Sequence, residues 1–248
     1  MIVCVGLATR DTIYALPRHP AADDRVVATE RVVSGGGPAA TAAVTIARLG
    51  VPVRFVGVVD GDLPGVEVVR MPGRMVESTI LVSGSDRAIV TEEPARFAAP
   101  PETLAGASWV HVDHVGWPAL PTRTTVLLSV DGGNAIDGLE LEHVELYAPT
   151  EARDDGRRAK VTVVTRGSRG CTAYVGDESF DVPGFDGVDV VSTLGAGDVF
   201  HGALLACVER GLELRDACRY ANACAALSCR ALDGRSAIPS WDELEAAL

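Results

Sequence analysis

Val190-Val191-Ser192-Thr193-Leu194-Gly195-Ala196-Gly197-Asp198-Val199-Phe200-His201-Gly202, continuing into Ala203-Leu204-Leu205-Ala206-Cys207-Val208, reads as an apolar strand that ends in a turn of small residues and opens a helix. Gly195, Ala196 and Gly197 carry little or no side chain. Their amide N–H groups can therefore approach an anion at the positive end of the helix dipole, worth about half a charge. Asp198 stands in the first helical turn. A carboxylate there competes with a bound phosphate for the same amides, yet it suits a base that accepts a hydroxyl proton while those amides neutralise a transferring phosphoryl group. The plain alternative is an acidic residue that stabilises a helix start, and the turn alone leaves both readings open.

Outward from this turn, short β-branched runs alternate with Ala-rich helical stretches. The rhythm predicts an α/β chain: three layers, with a central mostly parallel sheet. Ile2 to Leu7 reads as a buried first strand, Ala39 to Arg48 as a helix closed by Gly50, and Val51 to Val59 as the strand that follows. Further strands are expected at Trp109 to Val112, Thr125 to Val130, His143 to Tyr147 and Lys160 to Thr165. Several end at Asp113, Asp131 or Arg166, and the carboxyl ends of parallel strands are where ligands bind. Pro64, Gly65, Pro72 and Gly73 interrupt Gly61 to Val76, where a crossover helix would ordinarily lie.

Asp23 to Ser34 and Glu77 to Thr91 have interspersed charges and read as exposed strands of a small β lid. A single domain over 1–248 is expected, with lid strands within about 12–34 and 77–91. A lid with an apolar inner face could pair with that of a second copy, giving a homodimer.

The 248 residues hold 34 acidic against 22 basic side chains, a formal charge of −12. That field repels polyanions, and the basic residues form no dense run, so nucleic acid is not an expected partner. No apolar run approaches the roughly 18 residues of a membrane span, and Arg10, Asp11 and Arg18 interrupt the place of a signal peptide's apolar stretch. The expectation is a cytoplasmic protein with no membrane contact. Lys160 is the only lysine, which leaves Arg side chains and backbone amides to meet an anionic ligand. Cys4, Cys171, Cys207, Cys218, Cys224 and Cys229 form no Cys-x-x-Cys pair and read as buried free thiols. The five histidines are scattered, without the spacing of a metal site.

The strand-turn-helix segment resembles the signature of the ribokinase-like (PfkB-type) carbohydrate kinases, usually Asp-Thr-Thr-Gly-Ala-Gly-Asp followed by an aromatic residue. The resemblance runs over nearly the whole chain. It includes Val5-Gly6 with Asp11, then Ser34-Gly35-Gly36-Gly37-Pro38-Ala39-Ala40-Thr41-Ala42-Ala43 with Ala47-Arg48-Leu49-Gly50. Val164-Thr165-Arg166-Gly167-Ser168-Arg169-Gly170 and Gly234-Arg235-Ser236-Ala237-Ile238-Pro239 follow in order. The resemblance implies a ribokinase-like fold and transfer of the γ-phosphate of ATP, with magnesium, to a sugar hydroxyl. Asp198 would be the base, and Gly195, Ala196 and Gly197 the anion hole. Asp11, Gly36, Gly37 and Thr41 would hold the sugar, while Thr165, Gly167, Gly170 and Gly234 would meet the nucleotide. Glu151 would act on magnesium through water.

Departures accompany the resemblance. Ser192 stands where the family has its first signature Asp, Leu194 where it has the second Thr, and Ala148-Pro149-Thr150-Glu151 keeps only the Glu of the family's Asn-x-x-Glu. The motif wording is closest to the sulfofructose kinase subgroup, and Arg25 would lie on a lid strand where a cation could meet an anionic substituent. No second Arg or Lys near His111 to Trp117 completes such a pocket, and Asp113, His114 and Trp117 could instead line one for a neutral sugar or nucleoside. The Thr165 to Gly170 turn could equally be a tight hairpin leading into Cys171 to Val175. A nucleoside kinase of the same fold and a weakly catalytic sugar or nucleotide binder remain as alternatives.

Overall fold

Ile2–Val5 (β1) is buried along its whole length, as expected of a parallel strand covered on both faces. The structure, a computed structural model, describes residues 1–84, 86–121 and 125–248. After β1 come Thr9–Ala15 (β2), Glu30–Gly36 (β3), helix Pro38–Arg48 (α1), Val53–Gly57 (β4), Glu67–Arg70 (β5), Val76–Ser83 (β6) and Asp86–Thr91 (β7). Trp109–Val112 (β8), Leu127–Gly132 (β9), Leu146–Pro149 (β10), Val161–Thr165 (β11), Cys171–Val175 (β12) and Glu178–Val182 (β13) follow. Helices Ala196–Glu209 (α2), Leu214–Ser228 (α3) and Trp241–Ala247 (α4) complete the order.

Among the described residues the larger sheet has the order β13-β12-β11-β10-β9-β8-β1-β4-β5. Its strands are parallel from β5 to β11, and β12 and β13 add an antiparallel edge. Side chains alternate between two apolar layers. Ile2 and Cys4 join the helices on one face, whereas Val3 and Val5 face the other. The four α-helices of the described residues all pack on the first face. The second is covered by irregular segments that contribute Ala99, Leu104, Ala119, Leu139, Leu141 and Val144. The prolines and glycines of 61–76 have their expected effect: β4 and β5 pair in parallel through the short loop 58–66, with no helix between them.

The helix α1 follows from its sequence. Pro38 occupies the first turn, where its missing N–H costs nothing, Ala-rich positions follow, and Arg48 sits in the last turn. Gly202 of α2 lies against Ala42 of α1, where a Cβ would come within 2.5 Å of the Ala42 carbonyl oxygen, so the helices approach at a backbone contact.

A second sheet has the order β3-β2-β6-β7. Of its first two strands, β3 falls partly within the charged stretch expected at 23–34, whereas β2 lies before it. Residues 16–29 form an exposed loop, and the partner of β3 is β2, whose residues Asp11 and Thr12 pair with Ser34 and Val33. The charged segment lacks a row of inward apolar residues, whereas β2 sends Ile13 into the cluster with Ile80, Val82 and Leu232. The stretch 77–91 forms a hairpin of β6 and β7, with Ser85 outside the described residues. The apolar strand expected at Val190 is also corrected. Val190 and Val191 are exposed, and the amides of Val191 and Ser192 donate to the single carbonyl of Cys229 instead of joining a ladder.

All six cysteines are buried and free, as the absence of paired spacing implied. Among the described residues no helix is long and apolar enough to cross a membrane.

Candidate active site

The start of β2, the carboxyl ends of β3, β9 and β11, and the starts of α1 and α2 converge on a cavity of about 400 Å³. Gly195 caps α2 in the left-handed region at φ 73°, a conformation that favours glycine. The Ala196 amide turns back to the Thr193 carbonyl at 3.3 Å, so it is not free for a ligand. This narrows the expected three-residue anion hole: of the three, the amides of Gly195 and Gly197 have no internal acceptor, and the Asp198 amide beside them has none either. Gly197 borders open space, so nothing in the chain blocks an approaching anion there.

Asp198 lines the same cavity from the first turn of α2. Burial, reinforced by the Asp131 carboxylate, pushes its carboxyl up to about 7, against the pull of His201 and Arg235. A carboxylate so tuned is a serviceable base near neutral pH. Asp11 faces the cavity from β2. Its Oδ1 is buried and has no hydrogen-bond partner among the described residues, and burial raises its proton affinity, with Thr9, Arg235 and Ser78 working the other way. An oxygen desolvated in this way is an acceptor waiting for a ligand hydroxyl. Gly36 leaves room for that carboxyl, since a Cβ there would lie 2.0 Å from Asp11 Oδ2. Gly37 starts α1 at φ 88°, where a Cβ would meet the Leu7 carbonyl oxygen at 2.5 Å.

The remaining expected residues divide. Thr41, Thr165 and Gly234 line the cavity, with Gly234 backbone to backbone against Gly195. Gly167 and Gly170 do not. They shape the tight turn joining β11 to antiparallel β12, and a Cβ on Gly170 would strike the Val182 carbonyl oxygen. Glu151 is exposed and bonded to Arg169 outside the cavity. Among the described residues no three His, Cys, Asp or Glu side chains converge as a metal site. Arg25 lies in the exposed 16–29 loop, not on a strand over the sugar. Asp113 is consumed by four backbone amides, those of Leu7, Ala39, Val115 and Gly116, and Trp117 packs into the second core layer. Of that trio only His114 reaches the cavity.

Matching this chain to known sequences gives a family description of "pfkB family carbohydrate kinase" over residues 1–70 and 143–241. This chain belongs to the pfkB family. The kinase is 28% identical, across 100% of its own length and 97% of the relative's, to the ATP-dependent ribose-1-phosphate kinase of Halopiger xanaduensis. Its fold is shared with the ribokinase of Thermotoga maritima (TM-score 0.80, 21% identity, 100% and 98% of the two chains). It is also shared with the nucleoside kinase of Methanocaldococcus jannaschii (TM-score 0.80, 19% identity, 99% and 97%).

Three features at or beside the cavity of this carbohydrate kinase have roles that only the structure shows, although Asp131 was already expected at a ligand-binding strand end. Arg235 is buried among Asp11, Asp198 and Asp233, with Nε donating to Thr41 Oγ1 at 3.0 Å and Nη2 to the Gly36 carbonyl at 2.6 Å. Burial lowers even its guanidinium, to about 10. Its position inside Gly234 to Pro239 was visible, but its charge had no foreseeable partner. His201 and Asp131 line the cavity floor with Nδ1 3.0 Å from Oδ2. Arg87 of β7 reaches across from the small sheet, Nη1 donating to Thr193 Oγ1 at 3.1 Å beside the Gly195 turn. The departure at Ser192 also gains a role: buried, its Oγ accepts the Leu194 amide at 3.2 Å and holds the turn without a charge.

Proposed function

We propose that this kinase transfers the γ-phosphoryl group of ATP to a hydroxyl of a small sugar, with Asp198 as the base. The carrying observation is that one cavity holds a carboxylate tuned near neutrality, unpaired amides at a helix start and the unsatisfied Asp11 oxygen. Asp11 and the Gly36-Gly37 turn hold the sugar, with Thr41 beneath them buttressing Arg235. Asp198 takes the hydroxyl proton as the oxygen forms its bond to the γ-phosphorus, the bond from that phosphorus to the β-γ bridging oxygen breaks, and ADP leaves. Gly195 and Gly197 amides stabilise the transferring group, and Thr165 and Gly234 border the nucleotide. Magnesium would arrive on the nucleotide's phosphates and supply charge neutralisation there.

The small sheet acts as a lid that shields the transfer from water. Arg87 lies four residues along β7 from Thr91, about 13 Å, and Thr91 bonds Ser78 beside Asp11. The lid arginine therefore serves the phosphate end, while the Arg235 guanidinium, tied to Thr41 and the Gly36 carbonyl, is the cation beside Asp11 at the sugar end. Exposed Val33, Ile89 and Val90 on the same sheet support pairing of two copies in the cytoplasm, which sedimentation velocity tests.

The kinase reading is tested by ADP release with ATP and magnesium against hexoses, ketoses, ribose 1-phosphate, sulfo-sugars and nucleosides. Turnover with a sugar supports it. Tight binding of sugar and ATP without product would make the protein a binder, and turnover with nucleosides alone would change the acceptor class.

A further inference from the structure

The cavity floor carries an ion pair that the transfer step, as described, does not use. His201 follows Asp198 by three residues on α2, so both project from one face of the helix. Both His201 and Asp131 are almost wholly buried, with 4% and 3% of their side chains exposed, and both line the cavity. Asp131 stands near the end of β9, where its other oxygen accepts the Gly133 amide at 2.7 Å. Beneath the pair, His111 of β8 holds Ser129 Oγ at 3.0 Å from its Nδ1, with its ring 6.0 Å from that of His201.

Two buried imidazoles side by side have opposite environments. His111 faces a hydroxyl, and burial drives its proton affinity down to about 4, so it is neutral. Burial pushes His201 the same way, but the Asp131 and Asp198 carboxylates overturn that effect and raise it, while the imidazolium holds Asp131 low. The ring is not aimed for a straight hydrogen bond to Asp131, which leaves charge attraction as the bond between them. A neutral ring would leave Asp131 as an uncompensated buried carboxylate, which is strongly unfavourable. The other charged or titratable groups bearing on this spot are Asp113 just after β8, His114 on the cavity wall, Tyr147 of β10, whose phenol feels Asp131, and Arg235 from the 233–236 turn.

We propose that His201, held as an imidazolium by Asp131, is a positioning residue that offsets the carboxylates under the phosphoryl site and so admits the triphosphate. The inference rests on the kinase reading. A nucleotide tail entering this cavity meets Asp198, Asp131 and Asp11, so the charge on His201 decides whether the floor repels it. Loss of that proton at alkaline pH weakens use of ATP, whereas the sugar, bound at Asp11, is little affected.

The experiment pairs a titration with a pH profile. Imidazole NMR of the wild-type protein follows both buried rings, and kcat/KM for ATP is measured over the same pH range in wild type, Asp131→Asn, Asp131→Glu and His201→Gln. His201 is expected to titrate above 6.5 in wild type and lower in Asp131→Asn, with Asp131→Glu restoring it, while His111 stays neutral until far lower pH. The alkaline fall of kcat/KM for ATP, about tenfold, should follow that midpoint from protein to protein and vanish in His201→Gln. A ring already neutral at pH 6.5, or an alkaline limb that ignores the midpoint, overturns the inference. Backbone amide shift dispersion identifies the variants that fold, only those are compared, and the wild-type titration alone already tests the charge on His201. Absence of any turnover in wild type would instead count against the kinase reading, because the NMR result stands apart from it.

Discussion

Asp113 and Asp131 follow the paired residues Val112 and Val130 at the ends of neighbouring parallel strands, and both are buried. Their fates differ. Four backbone amides close around Asp113, tying β8 to the Leu7 turn, the start of α1 and its own following turn. Asp131 meets one amide and an imidazole, and its remaining edge opens on the cavity. A strand-end aspartate is thus structural when the backbone consumes its lone pairs and available for chemistry when it does not. Asp11, with an oxygen unsatisfied, and Asp198, raised to about 7, belong with Asp131.

The contrast can be broken most decisively by Asp113→Ala, which strands four amides and should cost about 3 kcal/mol or more in urea unfolding. Asp131→Asn should cost clearly less, and equal losses would erase the distinction. Gly36→Ala sharpens it at Asp11: the added methyl displaces the carboxyl, and KM for the sugar should rise about tenfold with KM for ATP unchanged. Asp198 should show the opposite sign of stability effect from Asp113. The folded protein binds its proton more tightly than the unfolded chain, so its stabilisation is full below 3.8 and is lost as pH rises through about 7. Asp198→Asn should therefore be more stable to urea than wild type at pH 8, by about 1 kcal/mol, with the gap narrowing by pH 5. The smallest effect is expected from Arg87→Ala, an exposed lid cation: KM for ATP should rise a few-fold and KM for the sugar should not.

Much of the architecture was legible because it follows local pattern. β8 is where the β-branched run puts it, α1 differs by one residue, and the proline-glycine stretch 61–76 holds no helix. The turn at Gly195 and the acid after it were legible for the same reason, since small residues before a helix have few other uses. Failures arose where distant partners decide. Val190 and Val191 look like a strand, but no neighbouring strand accepts them. The charges of 23–29 suggested a lid strand, whereas the small sheet needed the inward Ile13 of β2. Gly167 and Gly170 serve the hairpin turn that the sequence also allows. Arg235 and His201 were unreadable because their meaning lies in Asp11, Asp131 and Asp198, far away in the chain. Asp131 and Arg87 fall between the two stretches matched by the family, 1–70 and 143–241, so motif resemblance could not reach them either.

The most direct test of the account is phosphoryl transfer by Asp198→Asn, assayed as ADP release with saturating ATP and an acceptor sugar, alongside calorimetric binding of each. The expected result is retained binding of both ligands with kcat lowered about 10²-fold or more. Turnover within a factor of two of wild type would contradict the assignment of the base and with it the reading of the cavity.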